Sequence, residues 1–176
     1  LYEKHKVLTY PRTDSRALPE DYLSTVKDTL SGFEGTEYAE FARRILTSDW
    51  VKPNKRIFNN AKISDHFAII PTMLSPKKLN EAEAKLYDLV VKRFLAIFYP
   101  AAEYLVTTRI TRVDNEPFKT EGKVMINPGW QAVYGKSLRG KADDDASLVA
   151  VQPGKSVVTN EVKIISNNTR TPARFN

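Results

Sequence analysis

Three stretches in the first hundred residues place their apolar positions three or four apart, whereas later stretches place them two apart. The first follows Pro19, whose fixed φ suits an opening helical turn where its missing N–H is not needed. DYLSTVKDTL then sets Leu23, Val26 and Leu30 on one face, and Gly32 marks the stop. Thr36 is placed to cap a second helix, EYAEFARRIL, with Tyr38, Phe41, Ala42 and Ile45 at helical spacing. A third helix is predicted from Glu81 to Phe98. Asn80 and Glu83 form a capping box, Pro100 ends the helix, and its apolar set is Leu86, Leu89, Val90, Phe94 and Ile97.

Beyond Pro100 the period becomes two. YLVTTRITRV, the turn residues Asp114 and Asn115, and PFKTEGKVMI with alternating Phe118, Val124 and Ile126 predict a hairpin. NPGWQAVYG reads as a turn into a short helical piece, SLRGKADDDAS as an exposed loop, and SVVTNEVKII as a further strand. Helices first and strands afterwards, without alternation, argue for an α+β fold. The division falls near residue 100: residues 1–100 form a helical domain and residues 101–176 a β-rich one.

Between the second and third helices runs SDWVKPNKRIFNNAKISDHFAIIPTMLSPKK, rich in Pro, Asn and Ser and without a sustained period. Irregular segments of that length are usually functional or disordered. Composition narrows the classes. The 176 residues carry 27 Lys and Arg against 21 Asp and Glu, a net charge of +6 and a pI near 9.4, which suits a polyanionic partner. No apolar run approaches the roughly 20 residues needed to cross a bilayer, and LYEKHKVLTYPRTD is not a secretory signal. With no cysteine there are neither disulfides nor thiolate metal sites, which fits a cytoplasmic protein. Both ends look like the interiors of elements, so the chain is expected to be a piece of a longer polypeptide.

The chemistry concentrates in LTYPRTDSR, residues 8–16. On extended backbone Tyr10 and Arg12 project to one face about 7 Å apart, where one phosphate can meet both. Pro11 biases Tyr10 toward that backbone. A tyrosine attacking phosphorus builds charge on the equatorial oxygens, and a guanidinium fork is suited to stabilise it. A phenol needs help to lose its proton near neutrality, and Arg12 is no base. Asp14 and Ser15 are candidates for capping or for backbone contacts with a nucleic acid, and Arg16 for a second phosphate. The competing reading of Tyr10 is a packing tyrosine with a satisfied hydroxyl.

His66 in SDHFAIIPT lies in the long irregular segment where a catalytic side chain is expected, with a structural histidine as the competing reading. His5 is read as solvated. Lys52, Lys55, Arg56 and Lys62, interleaved with Trp50 and Phe58, are placed to contact phosphates and stack a base, although a plain charged loop accounts for them equally. Asp143, Asp144 and Asp145 are read as a solvated loop and not as a metal site, because three consecutive acids cannot all turn to one ion.

TYPRTDSR, followed 56 residues after Tyr10 by His66 in DHFAIIPT, resembles the two active-site signatures of type IA DNA topoisomerases. The likeness continues through GKVMINPGWQAVYG and TRTPARFN, and the Tyr-Pro-Arg form is similar to the bacterial topoisomerase III branch. The resemblance implies that Tyr10 attacks single-stranded DNA and becomes joined to a 5′ phosphate, that Arg12 positions the scissile phosphate, and that His66 contacts it. Thr13, Asp14, Ser15 and Thr72 match motif positions near the DNA. It further implies a mostly helical catalytic-tyrosine domain followed by part of an arch. Mg²⁺ is expected in the full-length enzyme, bound by a Toprim domain that nothing here resembles, and no cofactor is expected in this chain. The partners implied are single-stranded DNA and the remaining domains of the same polypeptide. A non-catalytic nucleic-acid-binding module is the rival reading. A recombinase is set aside for want of a larger Arg and His set, and a relaxase for want of clustered histidines.

Overall fold

The computed structural model describes residues 1–135, 148, 149, 151–169 and 171. The architecture is α+β, with helices α1 (Leu23–Ser31), α2 (Ala39–Thr47) and α3 (Glu81–Ala96), then antiparallel strands β1 (Glu103–Val113) and β2 (Glu116–Asn127). Short 3₁₀ turns occupy Asn60–Lys62 and Gly129–Tyr134.

The nine-residue helices α1 and α2 are too short to persist alone, so packing holds them. Val26, Leu30, Ala42 and Ile45 are buried, together with Val7, Leu18, Val91, Phe94 and Leu95, in one continuous core. Thr29 is buried on the same face of α1, and its hydroxyl is satisfied by donating to the Thr25 carbonyl at 2.8 Å. Thr36 accepts from the Tyr38 N–H at 3.2 Å in the turn before α2, but it is not the helix cap: the N-cap position is Tyr38, without a side-chain cap.

Helix α3 begins at the predicted capping box: the Asn80 side chain accepts from the Glu83 N–H and the Glu83 carboxylate from the Asn80 N–H, each at 2.9 Å. Its inward face differs from the expected one. Leu86 and Leu89 are exposed, and the buried residues are Tyr87, Val91, Phe94, Leu95 and Ala96. The apolar residues of α3 wrap more than one face, and the aromatic partners decide between the faces. Tyr87 packs edge-on to Tyr38 and Phe94 to Phe98.

Two other expectations are corrected. The His5 side chain is only 8% exposed, with Nε2 3.2 Å from the Glu83 carboxylate, so it is packed against α3 and not solvated. Phe58 is buried against Phe98 at 6.4 Å, so its ring is not free to stack a base, while the half-buried Trp50 meets Tyr99 edge-on at 4.9 Å.

Strands β1 and β2 pair from Val113 opposite Glu116 to Tyr104 opposite Met125, and after a register shift Glu103 pairs with Asn127. Asp114 and Asn115 both take positive φ, 48° and 66°, as a tight two-residue hairpin turn requires. The alternating Phe118, Val124 and Ile126 are exposed, because within the described residues the ribbon has two strands and no covering layer. SVVTNEVKII is not a strand. Its Val157, Val158, Val162, Ile164 and Ile165 are exposed and no ladder hydrogen bonds hold it. The Asp143–Asp145 loop and most of TRTPARFN lie outside the described residues.

The ribbon is rooted on the helices through Gly129. Its φ is +50°, and a Cβ there would lie 2.4 Å from the Ala101 carbonyl oxygen, so only glycine permits the approach. The Trp130 N–H donates to the Pro100 carbonyl at 2.9 Å, and Tyr104 Oη bonds Gln131 at 3.1 Å. Entry to and exit from the ribbon are thereby tied together.

Candidate active site

The site is built where residues 7–18 run beside the irregular segment of residues 57–72. Leu8 faces Pro71 in an antiparallel bridge, with Thr9 N–H donating to Ile70 O and Thr72 N–H to Val7 O, both at 3.0 Å. Leu18 pairs with Phe58 at the other end. Between these anchors the chain leaves and returns. Thr9 Oγ1 donates to the Ala68 carbonyl at 3.0 Å, and the Ala68 N–H donates to the Ala17 carbonyl at 2.9 Å. Residues 10–16 therefore form a loop closed at its base on Ala68.

The loop is hung on the second segment by hydroxyls. Thr13 Oγ1 donates to the His66 carbonyl and Ser15 Oγ to the Lys62 carbonyl, each at 2.8 Å. The same oxygens accept from the N–H groups of Ser15 and Ala17. The consequence is an aromatic contact: the half-buried Tyr10 ring meets the exposed His66 ring at 4.3 Å between centroids, tilted by 46°. Two residues 56 apart in sequence are thus brought into contact.

Arg12, Asp14 and Arg16 are exposed on this loop, and among the described residues their side chains make no hydrogen bond or ion pair. Thr13 and Ser15 are committed to the loop's own scaffold, as is Thr72, whose hydroxyl donates to the Lys6 carbonyl at 2.8 Å. The basic residues farther along are not gathered equally. Lys55 is paired with Glu20 at 2.7 Å, Lys52 stands 3.9 Å from Asp49, and the Arg56 side chain is exposed. The Lys55 hydrogen bond, followed by that from the Asn60 N–H, holds the Glu20 carboxyl below its ordinary value.

Two residues that sequence reasoning passed over belong here. Thr9 closes the loop, and its Oγ1 also accepts from the Ile70 N–H at 2.9 Å. Tyr2 meets Tyr10 at 5.3 Å with the rings near perpendicular, at 79°. Neither carries a signal beyond residue type, because both act through contacts that only the fold creates. Among the described residues no three His, Asp or Glu side chains gather as a metal would need. No helix of the described residues is long and apolar enough to cross a membrane.

Tyr10 and His66 are in ring contact, and Arg12, two residues from Tyr10, is exposed without a side-chain partner among the described residues. The family model described as DNA topoisomerase matches residues 1–176, and the chain belongs to that family. Among its relatives, DNA topoisomerase 3 of Bacillus subtilis is 43% identical over 181 residues, that of Bacillus licheniformis 43% over 182, and that of Bacillus cereus 41% over 185. Each alignment covers all of this chain and 25% of the relative, so the chain spans about a quarter of the length of the curated relatives it matches.

Proposed function

We propose that this chain is the catalytic-tyrosine part of a bacterial, cytoplasmic type IA DNA topoisomerase of the topoisomerase III branch. The observation that carries the reading is the Tyr10–His66 contact beneath a loop that presents Arg12 to solvent. Tyr10 Oη attacks the phosphorus of a single-stranded phosphodiester. An O–P bond to tyrosine forms, the bond to the 3′ oxygen breaks, and the 5′ phosphate stays on the protein while a 3′ hydroxyl is released. Religation is the same exchange in reverse, so the phosphotyrosyl ester conserves the bond energy and no ATP is consumed. Passage of another strand through the gap gives relaxation or decatenation.

Arg12 supplies a planar fork for the phosphate oxygens, and its lack of a protein partner leaves that fork available. No hydrogen bond joins the His66 and Tyr10 side chains, which favours His66 as a phosphate contact over His66 as the base that takes the phenol proton. Arg16 extends the positive surface along the DNA. Lys52, Lys55 and Arg56 act at most as peripheral contacts, since Lys55 already has a carboxylate partner.

Residues 1–100 and 101–176 are read as the tyrosine domain and the β-rich part of the arch. Mg²⁺ is expected in the full-length enzyme, where the resemblance assigns it to a Toprim domain. The test is to incubate the full-length polypeptide with 5′- and 3′-labelled single-stranded oligonucleotides and trap the adduct in denaturant. Label retained on protein must come from the DNA 3′ of the cut. Binding without any adduct would favour the non-catalytic module instead.

A further inference from the structure

We propose that Tyr2 is a positioning residue for the Tyr10 nucleophile, an inference that rests on the reading of Tyr10 above. The chain reverses over its first seven residues. The Val7 N–H donates to the Leu1 carbonyl at 3.0 Å, and Lys6 takes a left-handed φ of 55°. This reversal returns Tyr2 to the strand that leads into Tyr10, where the two rings meet edge-to-face at 5.3 Å and 79°. Tyr10 thus has two aromatic neighbours, Tyr2 and His66, and no aromatic contact joins those two to each other among the described residues.

Tyr2 is 41% exposed, so core burial does not account for its place. Among the described residues its hydroxyl makes no hydrogen bond, so its ring is what it contributes. Edge-to-face pairing orients a ring because the positive edge of one meets the negative face of the other. For Tyr10 that orientation matters. Attack on phosphorus is in line with the leaving oxygen, and a displacement near 1 Å at a reacting atom can cost about a hundredfold in rate. With Tyr2 gone, one of the two aromatic contacts on the Tyr10 ring is lost.

The experiment is single-turnover cleavage of a labelled single-stranded oligonucleotide by the full-length polypeptide, with affinity from fluorescence anisotropy and melting followed in parallel. Y2F keeps the ring and is expected to cleave near the parent rate. Y2L and Y2K remove it and are expected to cleave about tenfold more slowly, with Kd changed by less than about twofold. The proposal is wrong if either ring-free variant cleaves at the parent rate, if Y2F is as slow as Y2L, or if binding falls in step with cleavage. It is equally wrong if both ring-free variants melt far below the parent, since Tyr2 would then be a folding residue. Y10F separates the two levels of the argument. Cleavage by Y10F removes the nucleophile reading and this inference with it, whereas an inert Y10F beside a fully active Y2L removes the inference alone.

Discussion

The hydroxyl of Thr13 donates to the main-chain carbonyl of His66 across 2.8 Å, so the loop that carries Tyr10 is tied to the residue its ring touches. Thr13→Val keeps the side-chain shape and deletes this bond together with the one the hydroxyl accepts from the Ser15 N–H. The site is exposed, so water replaces part of what is lost, and the expected cost is about 0.5–1.5 kcal/mol in global stability. Cleavage by the full-length polypeptide is expected to fall further than that loss alone would cause, because the Tyr10–His66 contact loosens. Thr13→Ser restores both. Chemical denaturation and a cleavage assay on the three proteins check this, and equal cleavage by Val and Ser variants would refute it.

Arg12 and His66 are expected to respond differently to conservative change. Arg12→Lys retains charge, but a point ammonium cannot reproduce a bidentate fork on a phosphate, so cleavage should drop although the exposed position leaves folding intact. His66→Ala should slow cleavage by roughly ten- to a thousand-fold. Circular dichroism on the same samples guards against the alternative that His66 is a packing residue. Tyr10→Phe should abolish adduct formation and leave DNA binding nearly intact, since the ring still packs.

The parts of this structure legible in sequence are those set by local chemistry. The Asn80–Glu83 capping box, the Asp114–Asn115 turn and the inward faces of α1 and α2 follow from residues a few positions apart. What escaped depends on distant partners. The face of α3 is chosen by Tyr38 and Phe98, His5 is packed by Glu83, and Phe58 is claimed by Phe98. SVVTNEVKII has strand composition without a strand to pair with among the described residues. In the site, the types Tyr, Arg and His were readable from their chemistry. Their assembly was not, because Thr9, Thr13 and Ser15 spend their hydroxyls on carbonyls about 50 to 60 residues away.

Glu83 makes part of the stability dependent on acid. The Asn80 N–H foremost holds its carboxyl below the ordinary value of 4.5, partly opposed by burial, with His5 and Lys4 adding smaller lowering effects. A folded-state value below the unfolded one means the contribution is complete above about pH 4.5 and is lost as pH falls through the folded value. Glu83→Gln should therefore lower the melting temperature at neutral pH and converge with the parent as the pH falls below about 4.5, which flattens the acid limb of the profile. An unchanged acid limb would show that other carboxylates govern it.

Gly129→Ala should unfasten the ribbon from the helices. The new methyl would sit 2.4 Å from the Ala101 carbonyl oxygen, which is backbone and cannot turn aside, and φ of +50° adds strain. An expected loss of about 1–3 kcal/mol follows. The diagnostic is local: hydrogen exchange at the Trp130 amide, now bonded to the Pro100 carbonyl at 2.9 Å, should accelerate more than exchange in α3.

The 176-residue chain by itself should bind single-stranded DNA weakly and cleave nothing. Its net charge is only +6, and Lys55 beside the loop is already paired with Glu20, so a modest number of phosphate contacts is expected. Each phosphate contact on a single strand contributes about −0.7 to the slope of log K against log salt. With Arg12, Arg16 and one further cation engaged, a slope of about −2 is expected. Arg12→Gln should make it shallower by one contact, while Lys55→Gln should alter it less. Cleavage needs more than an attacking oxygen and a phosphate clamp. The leaving 3′ oxygen must gain a proton, and none of the described residues has been assigned that task. Anisotropy titrations across a salt series measure the first expectation, and denaturing gels with end-labelled oligonucleotides, with and without Mg²⁺, measure the second. A protein-linked 5′ phosphate formed by this chain alone would mean that residues 1–176 already contain a complete active site.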